Sequence, residues 1–257
     1  MKKIYALLSC VIWASCNTFA NSDMNHKGTA QYLNIQLDKK VINVQNCDKV
    51  TSLQLDFPCN IYFEQGKTAS IKMNVPPNLM DKFTHSINEN NFQIKRKSNN
   101  NKQSEEKIDI YIVLPTLEKI TSNSVANIFF ENKVTLEKLV ILSTGVTNFS
   151  MPHLIAKNVN FTNSGVTNIK MNVSQCKNFK CTNSGVYSGD CSIKGGTIIT
   201  IYNSGVGKIP LTIECEELYI TNTGVGTIKV KGIADKMNIN TQGVAKTDTS
   251  QLNKDIQ

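Results

Sequence analysis

Glu214, Glu216 and Glu217 form the tightest acidic cluster in the second half of this chain. Glycoside cleavage needs two carboxylates facing each other across a bond, or a carboxylate site with a basic residue that accepts a proton. These three acids lie on one turn of chain, so they read as an exposed corner. His26, His85 and His153 stand far apart, and no nucleophile motif accompanies them. Cys47, Cys59, Cys176, Cys181, Cys191 and Cys215 show neither a Cys-x-x-Cys nor a Cys/His spacing, the signatures of a bound metal. The expectation is no catalytic residue, no metal and no cofactor: the chain is not an enzyme.

Hydroxyls and amides are what recur. Thr162 and Ser164, Thr182 and Ser184, Tyr202 and Ser204, and Thr221 and Thr223 stand at matching places. On an exposed strand such pairs make a hydrogen-bonding array for a glycan or another extended surface. Ice is a remote further partner, and Tyr202 would interrupt the plane it needs. Asn163, Asn183, Asn203 and Asn222 form a second series. Amides stacked in a file can bond one another, so their expected role is structural.

A repeat positions both series. Ser122-Asn123-Ser124-Val125 recurs as Ser143-Thr144-Gly145-Val146, Asn163-Ser164-Gly165-Val166, Asn183-Ser184-Gly185-Val186, Asn203-Ser204-Gly205-Val206, Asn222-Thr223-Gly224-Val225 and Thr241-Gln242-Gly243-Val244. Steps between the third residues are 21, 20, 20, 20, 19 and 19. Apolar residues alternate within each unit, as in a strand. They also keep their columns from unit to unit: Leu139, Val159, Phe179, Ile199, Leu218 and Met237 are one, and Ile120, Ile141, Phe161, Cys181, Ile201, Ile220 and Ile239 another. One such unit cannot bury its apolar face alone, whereas stacked units make a continuous core.

The expected fold is all-β: a right-handed parallel β-helix of about seven coils of ~20 residues. Gly145, Gly165, Gly185, Gly205, Gly224 and Gly243 mark corners where φ is positive or the backbone crowded. The valine after each corner is assigned to the core. On that assignment Val166→Asp buries a lone charge and unfolds the stack, while Lys170→Ala is silent.

Met1-Lys2-Lys3, the short apolar run Ile4–Ala14 and the small residues around Ala20 read as a secretory signal peptide cut after Ala20. Lipidation at Cys16 is disfavoured, because Trp13 suits a lipobox poorly. Without Lys2 and Lys3 the 28 basic residues become 26 against 20 acids, a net of +6. Nearly all are scattered Lys, with Arg96 the one Arg. That pattern argues against nucleic acid, which is read largely by Arg. No later stretch is apolar enough to cross a membrane, so the expected place is periplasm, outer-membrane-associated or extracellular. In such an oxidising setting Cys47 and Cys59 are the one pair put forward for a disulfide.

The expected organisation is a signal peptide (1–20), a polar lead-in (21–44), an antiparallel-looking β-rich segment (45–114) capping the stack, the repeats (115–246) and a polar tail (247–257). The cap shields the first coil's edge. The far end is blunted by the tail or used for self-association.

Pro77-Asn78-Leu79-Met80-Asp81, the hairpin to Phe92-Gln93-Ile94, the run Ile110-Tyr111-Ile112-Val113-Leu114-Pro115 and the serial Ser-Gly-Val phrases resemble the bacterial head GIN domain. The resemblance covers about 45–245. Family members usually carry Ser-Gly-Ala-Gly where this chain has Ser-Gly-Val-Thr or Ser-Gly-Val-Gly, and Ser124 takes a Gly position. The resemblance implies an exported right-handed parallel β-helix with an adhesin label and no catalytic residues to transfer. The functional expectation is a non-enzymatic envelope or cell-surface protein whose stack serves assembly or structural interaction. The alternative is adhesin-like recognition of glycan or an envelope protein through the flat outer faces. An enzyme acting on polysaccharide is more remote.

Overall fold

The structure is a computed structural model that describes residues 39–97 and 106–253. The expected signal peptide, Cys16 and His26 lie outside the described residues. Strands β1 (Lys40–Val44), β2 (Ser52–Asp56), β3 (Cys59–Gln65), β4 (Ser70–Val75), β5 (Phe83–Asn88), β6 (Asn91–Arg96) and β7 (Ile108–Leu114) come first, with a 3-10 turn at Pro77–Leu79. The repeats follow as β8 (Lys119–Ser122), β9 (Val125–Phe130), β10 (Val134–Ser143), β11 (Val146–Asn163), β12 (Val166–Ser174), β13 (Asn178–Asn183), β14 (Val186–Asn203), β15 (Val206–Asn222), β16 (Val225–Thr241) and β17 (Ala245–Leu252).

The repeats form a parallel β-solenoid. From Ser143 to Val225 each phrase breaks the strands at its Ser-Gly or Thr-Gly corner, and the following valine starts the next strand. Successive coils pair in parallel and in phase: Phe161 lies opposite Cys181, Cys181 opposite Ile201, and Ile201 opposite Ile220. Like side chains therefore stack on like, and one apolar core runs through the interior.

Parallel pairing reaches further back than the phrases. β2 pairs in parallel with both β6 and β8, and β3 with both β7 and β9. Within the expected antiparallel segment, these four strands thus continue the stack. The antiparallel part is the outer layer: β1 on β4, β4 on β7 and β5 on β6. At the other end, residues expected in the polar tail belong to β17, which pairs in parallel with Gly226–Gly232 of β16.

The valines are the main correction. Val146, Val166, Val206, Val225 and Val244 are exposed, Val166 at 48%, and Val125 and Val186 are half-buried. The reason is parity. Alternation continues through the corner without a slip, so Asn163, Thr167 and Ile169 are buried while Ser164, Val166 and Lys170 face out. The inward place at the corner belongs to Gly165. Assigning valine inward required a phase change there, and the backbone makes none. Val166→Asp should therefore change stability by less than about 1 kcal/mol, while Ile169→Asp should cost several. Urea unfolding of the two variants checks this: equal loss in both would overturn the inside-outside assignment.

Cys47 and Cys59 are not bridged; both are buried free thiols. Cys59 heads β3 and packs between Ile108 and Ala126 of the adjacent layers, spending its side chain as a core group. Met237 and Ile239 occupy core columns by count, yet they are exposed at 51% and 37%. Among the described residues nothing pairs with their free side, because β17 lies along Gly226–Gly232 of the same strand.

Candidate functional site

The acidic cluster is surface furniture. Glu217 faces Lys236 of the next coil, 3.3 Å away, and accepts a hydrogen bond from the Tyr219 hydroxyl at 2.8 Å. That hydroxyl, and then the lysine, lower its pKa, which favours a fixed anion over a proton donor. Glu214 and Glu216 point to solvent. His85 packs on the Phe83 ring, and burial lowers its pKa. His153 is exposed. Among the described residues no group of His, Cys, Asp and Glu is placed to hold a metal. Burial pushes the Cys59 thiol up to about 12 and Cys191 to about 11, so neither supplies a thiolate at neutral pH. Cys191 lies 3.0 Å from the buried Tyr187 hydroxyl and gives it a polar neighbour.

The asparagine series forms an internal ladder. Asn163 donates to Asn183 Oδ1 at 2.7 Å, Asn183 to Asn203 at 2.7 Å, and Asn203 to Asn222 at 2.9 Å. Asn222 donates onward to the Lys246 carbonyl at 3.0 Å. In the earlier coils hydroxyls continue the track. Thr167 donates to Asn163 Oδ1 at 2.9 Å, Ser143 contacts both Thr147 and Thr167, and Ser122 contacts Thr147. Buried polar groups thus bond along the axis from coil to coil, consistent with a structural role. Ser122 and Ser143 were missed as members of the track because their phrases begin with Ser in place of Asn.

The outer face carries the expected hydroxyl array, with a neighbour that the expectation lacked. Thr162, Thr182, Tyr202 and Thr221 lie opposite one another in register. Ser164, Ser184, Ser204 and Thr223 are exposed beside the corner. Tyr202 stands out from the file with Lys180 Nζ 5.6 Å from its ring centroid. Two residues beyond those exposed hydroxyls come Val166, Val186, Val206 and Val225, which continue the file of Val125 and Val146; all six are paired in register from coil to coil. Counting parity from the asparagines would have found this file.

Beyond it lies an external amide ladder. Asn148 donates to Asn127 and Asn127 to Asn60, each at 2.8 Å, and Asn60 to Asp109, also at 2.8 Å. Asp109 is held by Lys39 at 2.6 Å. Beside it Tyr111, Tyr62 and Phe129 stack with centroids 4.9 and 5.4 Å apart. The outer surface is therefore a set of parallel stripes: hydroxyl, valine, amide and, toward one end, aromatic.

An all-strand stack with such stripes matches one described family. Residues 50–197 and 187–256 match the family described as "Putative auto-transporter adhesin, head GIN domain". The chain belongs to the head GIN domain family. This head GIN chain also resembles solved structures of low sequence identity, which share its fold. One is "a putative adhesin" from Bacteroides fragilis NCTC 9343, 20% identical, with a TM-score of 0.63 over 82% of this chain and 98% of that one. A second, a "putative adhesin" from Parabacteroides distasonis ATCC 8503, is 15% identical with a TM-score of 0.51 over 82% and 98%. A third, a "Putative lipid binding protein" from the same strain, is 15% identical with a TM-score of 0.50 over 82% and 96%. No curated protein matches the chain. No helix among the described residues is long and apolar enough to cross a membrane.

Proposed function

We propose that this head GIN chain is an exported, non-enzymatic recognition protein of the bacterial cell surface. Its contact surface is the striped outer face, and its partner is a glycan or another extended surface polymer. The observation that carries the reading is the outward valine file. Valine suits strands, but an exposed position does not call for an apolar residue at every coil. From Val125 to Val225 the file is five steps long, or about 24 Å at ~4.8 Å per step. Contiguous exposed apolar surface rimmed by polar groups marks an interaction site. Hydroxyls lie on one side of it from Val146 to Val225, and amides on the other from Val125 to Val166. That alternation suits a sugar chain, whose apolar ring faces and hydroxyl edges also alternate. The adhesin descriptions of the family and its neighbours support the same reading. A second reading, assembly or structural interaction, is favoured by Met237 and Ile239, which are exposed among the described residues.

A screen against arrayed bacterial and host glycans tests the first reading. The variant Val146→Lys, Val166→Lys, Val206→Lys should lose at least about tenfold in binding to any glycan the chain selects, with unchanged melting, since all three positions are exposed. Binding that survives this change would refute the valine file as the contact surface.

A further inference from the structure

The face that carries the hydroxyl file also carries two exposed tyrosines, Tyr202 at 43% and Tyr219 at 40%. Tyr202 lies opposite Thr221, and Thr200 opposite Tyr219. The two tyrosines therefore stand on adjacent coils, two residues apart along the strand, with about 8 Å between their Cα atoms. Their neighbours in register are short: Thr182 and Thr221 beside Tyr202, Thr200 and Asn238 beside Tyr219. Tyr111, Tyr62 and Phe129 cover one another's faces, whereas among the described residues neither Tyr202 nor Tyr219 stacks on another ring. Thr200 is half-buried among larger side chains. Its outward neighbours on the same strand are Ile198 and Tyr202, and on the coils before and after stand Lys180 and Tyr219. Lys180 Nζ lies 5.6 Å from the Tyr202 ring centroid, and the ammonium has no ion pair among the described residues. The nearby acid is already spent: Glu217 accepts from the Tyr219 hydroxyl at 2.8 Å and pairs with Lys236 at 3.3 Å.

We propose that the recess over Thr200 is a subsite for a carboxylate-bearing sugar, a uronic acid unit of a surface glycan. Lys180 and Tyr219 flank Thr200 from opposite sides, two coils or about 10 Å apart, which leaves room for one pyranose ring between them. The sugar's carboxylate pairs with the Lys180 ammonium as a charge-assisted hydrogen bond. Its apolar ring face lies against Tyr219, its edge meets Tyr202 and Ile198, and its hydroxyls meet Thr200 and Thr221. Tyrosine joins an apolar face to a polar tip, which is why it recurs at interfaces. Small-molecule sites share this make-up: apolar and aromatic walls with a few placed polar groups. Strand preference alone accounts for a tyrosine on an exposed strand. It does not account for two uncovered rings converging on one threonine beside an unpaired ammonium. Charge complementarity selects the occupant. A neutral sugar leaves Lys180 without a counter-charge, and an apolar partner leaves the threonine hydroxyls unmet.

This proposal rests on the glycan-recognition reading and narrows it to an acidic sugar. Surface plasmon resonance on immobilised polygalacturonate, alginate and hyaluronan tests it, with neutral dextran and dextran sulfate as controls. The chain should bind at least one of the three uronate polymers at least about tenfold more tightly than dextran. Tyr202→Thr and Tyr219→Thr remove the rings and keep a residue type that suits the strand. Each should weaken uronate binding at least about tenfold, with unchanged melting and unchanged attraction to dextran sulfate. Lys180→Gln should erase the preference for polygalacturonate over the same polymer with its carboxyl groups reduced to alcohols. If the tyrosine variants lose binding and the valine-file triple variant keeps it, the subsite stands and the valine file is refuted. If only the valine variant loses binding, the subsite falls and the valine file stands. Binding to dextran sulfate alone, to neutral glycans alone or to none of these polymers would also overturn the proposal.

Discussion

Gly185→Ala should cost the stack at least about 3 kcal/mol, although it adds a single methyl group. A Cβ at Gly185 would collide with the carbonyl oxygen of Gly165 in the neighbouring coil. The same holds along the file: Gly165 against the Gly145 carbonyl, Gly205 against Gly185 and Gly224 against Gly205. Those carbonyls are already engaged. Val186 N–H donates to Gly165 O at 2.8 Å, and Val206 N–H to Gly185 O at 2.9 Å. Room for a methyl group could come only from spreading two coils, which breaks these bonds and opens the core beside them. Backbone cannot rotate aside as a side chain can. Urea unfolding of Gly185→Ala checks this, with Gly243→Ala as the comparison. Gly243 has φ of +70° and nothing near its would-be Cβ, so alanine there should cost about 1–2 kcal/mol from left-handed strain alone. Wild-type stability in Gly185→Ala would refute close coil approach as the reason for glycine.

The corner glycines show how far the sequence could be followed. Their spacing identified the coil, and two reasons for glycine were open, positive φ or crowding. Crowding holds at Gly145, Gly165, Gly185, Gly205 and Gly224, and positive φ at Gly243. Ser124 can occupy the first such place because β2 and β3, with no phrase of their own, lie before it. That layer was hidden for the same reason. The parallel pairing of β2 and β3 with β6–β9 joins segments that share no repeated motif, so nothing in the local pattern announced it. Column membership also says nothing about whether a next coil exists. Met237 and Ile239 carry core-type side chains at core positions and are exposed, because among the described residues no strand pairs on their free side.

The striped surface was half visible. The hydroxyl residues fall on outward places by simple alternation, and the structure puts them there. The valines were misassigned because an apolar type was allowed to outweigh the parity count. On a half-buried sheet parity is the stronger guide, since a single-residue slip would turn every following side chain to the wrong face. The aromatic stack of Tyr111, Tyr62 and Phe129 depends on the unannounced layer order, in which β3 lies between β7 and β9.

Asn183→Leu should lower stability by about 2–4 kcal/mol even though leucine is close to asparagine in size and more apolar. Asn183 is buried, receives a hydrogen bond from Asn163 and donates one to Asn203, both at 2.7 Å. Leucine removes both bonds at once. Asn203 Oδ1 then faces a methyl group, with water excluded. Asn163 keeps its amide contact to Val186 O at 3.0 Å, so the loss falls mainly on the Asn203 side. Asn183→Asp separates the hydrogen bond from the shape. An ionised Asp can still accept from Asn163 but sets an oxygen against Asn203 Oδ1; a protonated Asp can donate there. Burial and that opposed oxygen raise the folded-state pKa above the unfolded value, so the folded chain holds the proton more tightly. Stability of the Asp variant should therefore be highest at acid pH and fall as pH rises from the ordinary carboxylate range through the raised folded value. Relative to wild type, the Leu variant should show no such dependence. Denaturant midpoints for all three chains at pH 4 and pH 7 decide the matter. A Leu variant as stable as wild type would mean that the ladder only fills space, and an Asp variant with no added pH dependence would mean that Asn183 does not donate along the ladder.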